Sequence, residues 1–173
     1  MPPSPAEEWL VRASVQTALV GYLAGPLALV LAPDDPRRRV ARAIWSAGFA
    51  AFAIHVVASF GAFYGWSHAT ALVETARQSA ERVGFDSGIG LYLNYLFTAA
   101  WGADVLWWWW RPVTHAERPV AATGLIHAFL FFILFNGSVV FASGLSRWLG
   151  LAATAAWVVC LARLARRGRH ARA

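Results

Sequence analysis

Five stretches of about 20 mainly apolar residues, separated by polar segments, constrain this chain more than any other feature. They run over 9–32, 43–66, 89–110, 121–142 and 147–165. A helix needs about 20 such residues to cross the roughly 30 Å hydrocarbon core of a bilayer. Only helices and closed barrels satisfy their own backbone hydrogen bonds there. The lengths therefore predict an all-α, polytopic transmembrane bundle of five spans, built as a single integral membrane domain over residues 1–173. Composition agrees, with 58% hydrophobic and 14% charged residues, where soluble domains run nearer half and a quarter. The first stretch holds Arg12, Gln16 and Pro26. A surface position for it is the alternative, giving four spans and the same orientation for the rest. Residues 1–8 lack the basic region of a leader peptide, and the apolar run behind them is too long for a leader core, so no cleavage is expected.

All 15 basic residues are arginine. In a soluble protein a net charge of +6 points to nucleic acid; beside five spans it reads as loop bias, and no nucleic acid partner is expected. With five spans, one side receives Arg37, Arg38, Arg39, Arg42, Arg111 and Arg118, together with Arg163, Arg166, Arg167, Arg169 and Arg172 near the C-terminus. The other side receives Arg12, Arg77, Arg82 and Arg147. The positive-inside rule then sets the N-terminus outside and the C-terminus, with the Arg-rich tail 166–173, in the cytoplasm. The expected location is a bacterial inner membrane. The tail arginines read as a solvated anchor that can also attract anionic lipid.

Tryptophan prefers the headgroup level, and its placement fits these boundaries. Trp9, Trp66 and Trp148 fall at outer edges, and Trp45 and the run Trp107–Trp110 at inner ones. Four consecutive indoles point to all sides of a helix and read as a collar, with a cofactor stack as the alternative. The outer segment 67–88 carries Leu72, Ala76, Ala80 and Val83 at helical spacing. Glu74 with Gln78 and Arg77 with Glu81 form i,i+4 pairs on its wet side. Ser67 and Gly84 are its expected caps. The segment is read as a short amphipathic helix on the outer surface, between spans two and three. Gly21-x-x-x-Gly25 and Gly61-x-x-x-Gly65 are spacings that permit close helix contact.

Polar residues inside spans are costly in hydrocarbon and normally face the bundle interior in pairs. They are His55 and Ser59 in the second span, Asn94, Thr98 and Asp104 in the third, and His127, Asn136 and Ser138 in the fourth. At 1.5 Å rise per residue, Asp104 and His127 both lie roughly 10 Å from the inner boundary. A contact between them is the leading constellation, and Arg111, seven residues on, is placed to reach back to Asp104. The pair is read either as a proton-handling or ligand-binding site or as an ion pair that orders the bundle. Asn94 and Asn136 are placed to hydrogen-bond across spans three and four. His68 and Glu74 are the outer-face candidates, with Glu81 and Asp86 beside them.

His55 and His127 raise the alternative of bis-imidazole haem b, although their levels differ by about 8 Å. The single cysteine, Cys160, excludes an internal disulfide and a cysteine metal cluster, and no metal ligand set is expected. Gly-x-Ser-x-Gly, His-Glu-x-x-His and phosphate-binding glycine loops do not occur, so no catalytic residue is assigned. Length, span number and abundant Trp are similar to the tryptophan-rich sensory proteins. Their Trp-Thr and Asn-x-x-Trp patterns do not occur here, so no residue role carries over.

Three functions follow as expectations. The first is a non-enzymatic accessory or assembly subunit, or a small-ligand-binding bundle, with a polar intramembrane site around Asp104 and His127. The second is a haem b redox protein, and the third a small proton-coupled carrier. The partners expected are the lipid bilayer and other membrane subunits or further copies of the chain.

Overall fold

The computed structural model describes residues 3–31 and 35–170, and the side chains of 3–28 and 38–158. Every regular element among them is helical. Five long helices carry the fold: α1 (Pro5–Leu31), α2 (Asp35–Tyr64), α4 (Ile89–Trp110), α6 (Val120–Phe135), and α7 (Gly144–His170). α3 (His68–Val83) follows α2, and the single-turn α5 (Pro112–Ala116) follows α4. A π-helical turn, Asn136–Val140, continues α6. Asp34–Arg42, read as a loop, is helical from Asp35 onwards. Span four, read as one helix over 121–142, changes to the wider turn at Asn136. The tail 166–170 continues α7, its side chains lying outside the described residues, as does that of Cys160.

The long helices close into a ring. α1 packs on α2 and α7, α2 on α4, α4 on α6, and α6 with its π turn on α7. Residue pairs give the directions. His55 meets Val11 and Trp45 meets Tyr22, so α1 and α2 are antiparallel. Phe52 meets Phe97 and Trp45 meets Asp104, so α2 and α4 are antiparallel. Gln16 meets Ser146 and Tyr22 meets Trp157, so α1 and α7 run parallel. The α1–α2 contact is close because two glycines face each other. A Cβ on Gly21 would stand 2.5 Å from Gly48 Cα. Gly25 lies against Trp45 less tightly, a built Cβ standing 3.2 Å from the ring. The Gly61 spacing has another use: Gly61 accepts the ring of Trp66, which folds back after α2.

Inside the ring lies a wall of aromatic side chains. Tyr22, Trp45, Phe97 and Trp101 are buried to within 1%. Trp101 packs 5.0 Å from Trp45, 5.7 Å from Tyr22 and 5.6 Å from Phe97, centroid to centroid. The outward faces are apolar as well. Val20, Ile54, Leu96, Leu125 and Leu151, one on each long helix, are exposed. On length and composition two helices, Arg38–Tyr64 and Val120–Val140, are long and apolar enough to cross a membrane. Five were expected. α4 shows the physical reason: Tyr, Trp, Asn94 and Asp104 lower its hydropathy even where they face the interior.

α3 forms where its caps predict. Ser67 Oγ accepts from Thr70 N–H at 3.2 Å, and Gly84 takes φ 74°, the left-handed position of a helix end. Its inward face differs from the expected stripe. Ala71, Thr75 and Ser79 turn toward the bundle, while Ala80 and Val83 are exposed. Small residues let α3 lie close on the start of α4, where a Cβ on Gly90 would meet Thr75 at 3.2 Å.

Candidate functional site

Two polar regions occupy opposite ends of the ring, separated by the aromatic wall. The first surrounds Asp104, whose side chain is 3% exposed. A carboxylate so buried must be paired and hydrogen-bonded. Oδ2 accepts from Trp45 Nε1 at 2.9 Å. Oδ1 accepts from His115 Nε2 at 3.2 Å and from Arg118 Nη1. Arg118 also donates from Nε to Thr123 Oγ1 at 2.9 Å and from Nη2 to His127 Nε2 at 3.3 Å. A guanidinium can only donate, and a carboxylate can only accept. His115 therefore carries its proton on Nε2, and His127 carries its proton on Nδ1. That Nδ1 is buried without a partner.

Asp104 and His127 thus belong to one cluster, but the expected direct contact is replaced by a bridge through Arg118. Arg111 does not reach Asp104. Proline explains both. Residue 112 would normally donate its N–H to the carbonyl of Trp108, four back, and Pro112 has none. The helix ends at Trp110, and Arg111 leaves helical geometry with φ −138° and ψ 67°. Arg111 is exposed. The chain turns through α5 and brings His115 and Arg118 underneath Asp104. The orphaned Trp108 carbonyl accepts instead from Arg42 Nη1 at 3.3 Å.

The four tryptophans at this end have separate tasks. Trp107 donates to Thr114 at 3.0 Å, and Trp108 stacks on His115 with centroids 4.8 Å apart. Trp109 donates to Ser46 at 2.8 Å and lies 4.0 Å beneath the Arg42 guanidinium. Trp110 is exposed. Three of the four tie the end of α4 to α5 and α2, rather than forming a cofactor stack.

The second region is a cavity of about 320 Å³ at the end covered by α3. All five long helices line it, with Thr75 of α3. Its polar groups include His55, Ser59, Asn94, Tyr95 and Ser138, with Tyr64, Thr75 and Ser146, and among the described residues no charged side chain lines it. Trp101 forms its boundary with the aromatic wall, and the Trp101 N–H is buried without an acceptor. Gly137 and Ser138 lie in the π turn; such turns recur at functional sites. His55 Nδ1 is 2.9 Å from the Val11 carbonyl, which leaves Nε2 as its second polar atom.

Asn94 lines this cavity and Asn136 does not. Asn136 donates to its own helix, at Phe132 O, 2.8 Å away, in place of the expected bond to Asn94. The haem alternative meets an obstacle of the same kind. His55 lines the cavity, while His127 lies beyond it against Trp45 and Trp157, with the Nε2 lone pair taken by Arg118. Among the described residues no three His, Cys, Asp or Glu side chains cluster as a metal site. On the outer surface, His68 lies between Tyr95 Oη at 3.1 Å and Tyr92 Oη at 3.4 Å. Glu74 is held by Arg77 and Gln78, whose hydrogen bonds push its carboxyl down to about 2. These two candidates have separate partners.

His115 and Arg118 are the residues that the sequence reading missed. Their signal was the need itself: a carboxylate inside an apolar helix requires a cation, and Arg118 lies in the adjoining segment. Comparison with protein-family models, with curated proteins and with solved structures gives no match.

Proposed function

We propose that this chain is an integral membrane bundle that takes a small, uncharged, largely apolar molecule into the cavity beneath α3. The reading has five spans, the N-terminus and α3 outside, and the Arg-rich end at the cytoplasmic face of a plasma membrane. Outward apolar side chains on every long helix support the membrane position, because a helix apolar all round belongs in a core or in lipid. The division of arginines supports the orientation.

The observation that carries the ligand reading is the cavity, apolar and aromatic in most of its lining with a few converging polar groups. That composition, and a volume near the lower end of the usual 300–1,000 Å³, is typical of small-molecule sites. The missing charge selects a neutral occupant, and His55 and Asn94 supply the orienting hydrogen bonds. Asp104 has a structural task in this reading: a carboxylate held by a guanidinium and two further donors is not free to carry protons.

The test is native mass spectrometry of the full chain released from membrane particles. The wild type is expected to carry a neutral small molecule that Ser59→Phe, which fills the cavity, loses. No adduct in the wild type, or equal occupancy in both, overturns the reading.

A further inference from the structure

A separate concavity lies beside the Asp104 cluster, at the end opposite α3. It is a groove of about 690 Å³ between the first turns of α2 and α5. Arg38, Arg39 and Arg42 line one wall, Trp108 and Val113 line the base and the α5 side, and Glu117 stands at the opposite lip. Positions 38 and 42, and 39 and 42, are one turn apart, so the three guanidiniums share a face of α2. Arg42 is fixed there by the Trp108 carbonyl and the Trp109 ring. Its Nε is buried and has no acceptor. Among the described residues three positive charges meet a single carboxylate, a balance that favours anions. Pro112, Val113 and Ala116 line its α5 side and are exposed, an apolar border next to the cationic wall.

We propose that this groove binds the phosphate of an anionic phospholipid, with Arg38, Arg39 and Arg42 on the headgroup and the acyl chains along the apolar border. A phosphodiester offers acceptors to Arg42 Nε and to the two neighbouring guanidiniums, and guanidinium forks match phosphate geometry. The assignment rests on the membrane reading above, in the orientation that sets α5 at the cytoplasmic leaflet, where anionic lipid attracts basic clusters.

The test uses the full chain in mixed micelles of phosphatidylcholine and phosphatidylglycerol, with lipid adducts counted by native mass spectrometry. Phosphatidylglycerol is expected to be retained over phosphatidylcholine. The Arg38→Gln/Arg39→Gln variant, both positions being exposed, is expected to lose affinity by about fivefold for each arginine removed. Glu117→Gln is expected to bind phosphatidylglycerol more tightly, an effect that loss of fold does not produce. Arg166→Gln/Arg167→Gln in the tail is expected to leave the preference intact.

Equal retention of the two lipids, an unchanged preference in the double arginine variant, or loss of the preference only in the tail variant overturns the proposal. Displacement of the lipid by inorganic phosphate at equal concentration also overturns it, since the groove would then be a site for soluble anions. Cysteine labelling from the two sides of the membrane reads the orientation separately, so failure of the membrane reading is distinguishable from failure of the groove.

Discussion

The indole N–H of Trp45 donates to Oδ2 of Asp104 at 2.9 Å while the same ring packs 5.0 Å from Trp101. One side chain of α2 therefore touches both the buried carboxylate and the aromatic wall that bounds the cavity. Its partners on Asp104, His115 and Arg118, come from the segment after α4. The wall, the carboxylate and that segment are a continuous set of contacts across the middle of the ring.

The Asp104–Arg118 pair is expected to be strongly coupled. Arg118→Leu leaves a buried carboxylate with Trp45 and His115 as its remaining donors and is expected to cost about 3–5 kcal/mol. Trp45→Phe removes one hydrogen bond to a charged group, about 1.5–3 kcal/mol. Asp104→Leu/Arg118→Leu, which removes both charges, is expected to be far less harmful than the sum of its single variants. Unfolding in detergent measures all of these. Simple additivity would show that the pair is not a unit.

The purified protein is expected to show no Soret band when expressed with ample haem. His127 presents its Nε2 lone pair to Arg118, and His55 lies in the cavity on the far side of Trp101. A band between 350 and 700 nm that shifts with dithionite and vanishes in His55→Ala, a range set by ordinary haem absorbance, would contradict this arrangement of the imidazoles.

On α3, the Glu74 carboxyl is expected to titrate near 2, because Arg77 and Gln78 hydrogen-bond its charged form. A lowered carboxyl stabilises the fold above its ordinary value, about 4.3, and loses that contribution as the pH falls toward 2. With the side chain 31% exposed, solvent and salt keep the contribution small. A carbon NMR titration of Glu74 is expected to show the midpoint rising toward the ordinary range in Arg77→Ala. An unmoved midpoint would remove Arg77 as the cause.

The glycines of the ring divide by contact. Gly21→Val places bulk against the Gly48 backbone and is expected to cost about 1–3 kcal/mol or more. Gly124 has nothing within 4 Å of a built Cβ, so Gly124→Ala is expected to be neutral or to stabilise α6 by up to about 1 kcal/mol. Thermal unfolding of the two variants side by side tests the α1–α2 contact.

Topology is testable in a Cys160→Ser background. A single cysteine at Ser87 is expected to react with an impermeant maleimide added outside intact cells, and one at Thr114 only after the cells are opened. The reverse pattern would invert the proposed bundle, and labelling of both from outside would contradict a membrane crossing by α4, the one long helix between the two positions.

Helix by helix, the sequence was informative where the pattern is local. α4 occupies the expected 89–110, and Ser67 and Gly84 cap α3 as their types predict. Pairing across the bundle was less legible. Helical offset favoured Arg111 for Asp104, because Arg111 would share its face if α4 continued; Pro112 stops it. His115 and Arg118 read as loop residues because a single sequence gives no sign that a loop folds back beneath a span. The cavity was partly legible: His55, Ser59, Asn94 and Ser138 stood out as polar residues in apolar runs, but the π turn that carries Ser138, closely packed on Gly150, has no local signal in the sequence.

The contact of α7 with α1 makes closure of the ring depend on two long helices far apart in sequence. Gln16 meets Ser146 and Tyr22 meets Trp157 across this seam, and without α7 the other four long helices would form an open trough that exposes these side chains. Ser146 also lines the cavity, so the enclosed space exists only once the contact of greatest sequence separation has formed, the kind of contact that forms slowly. A shortened chain that lacks α7 is expected to keep the α1–α2 contact and to lose the enclosed cavity.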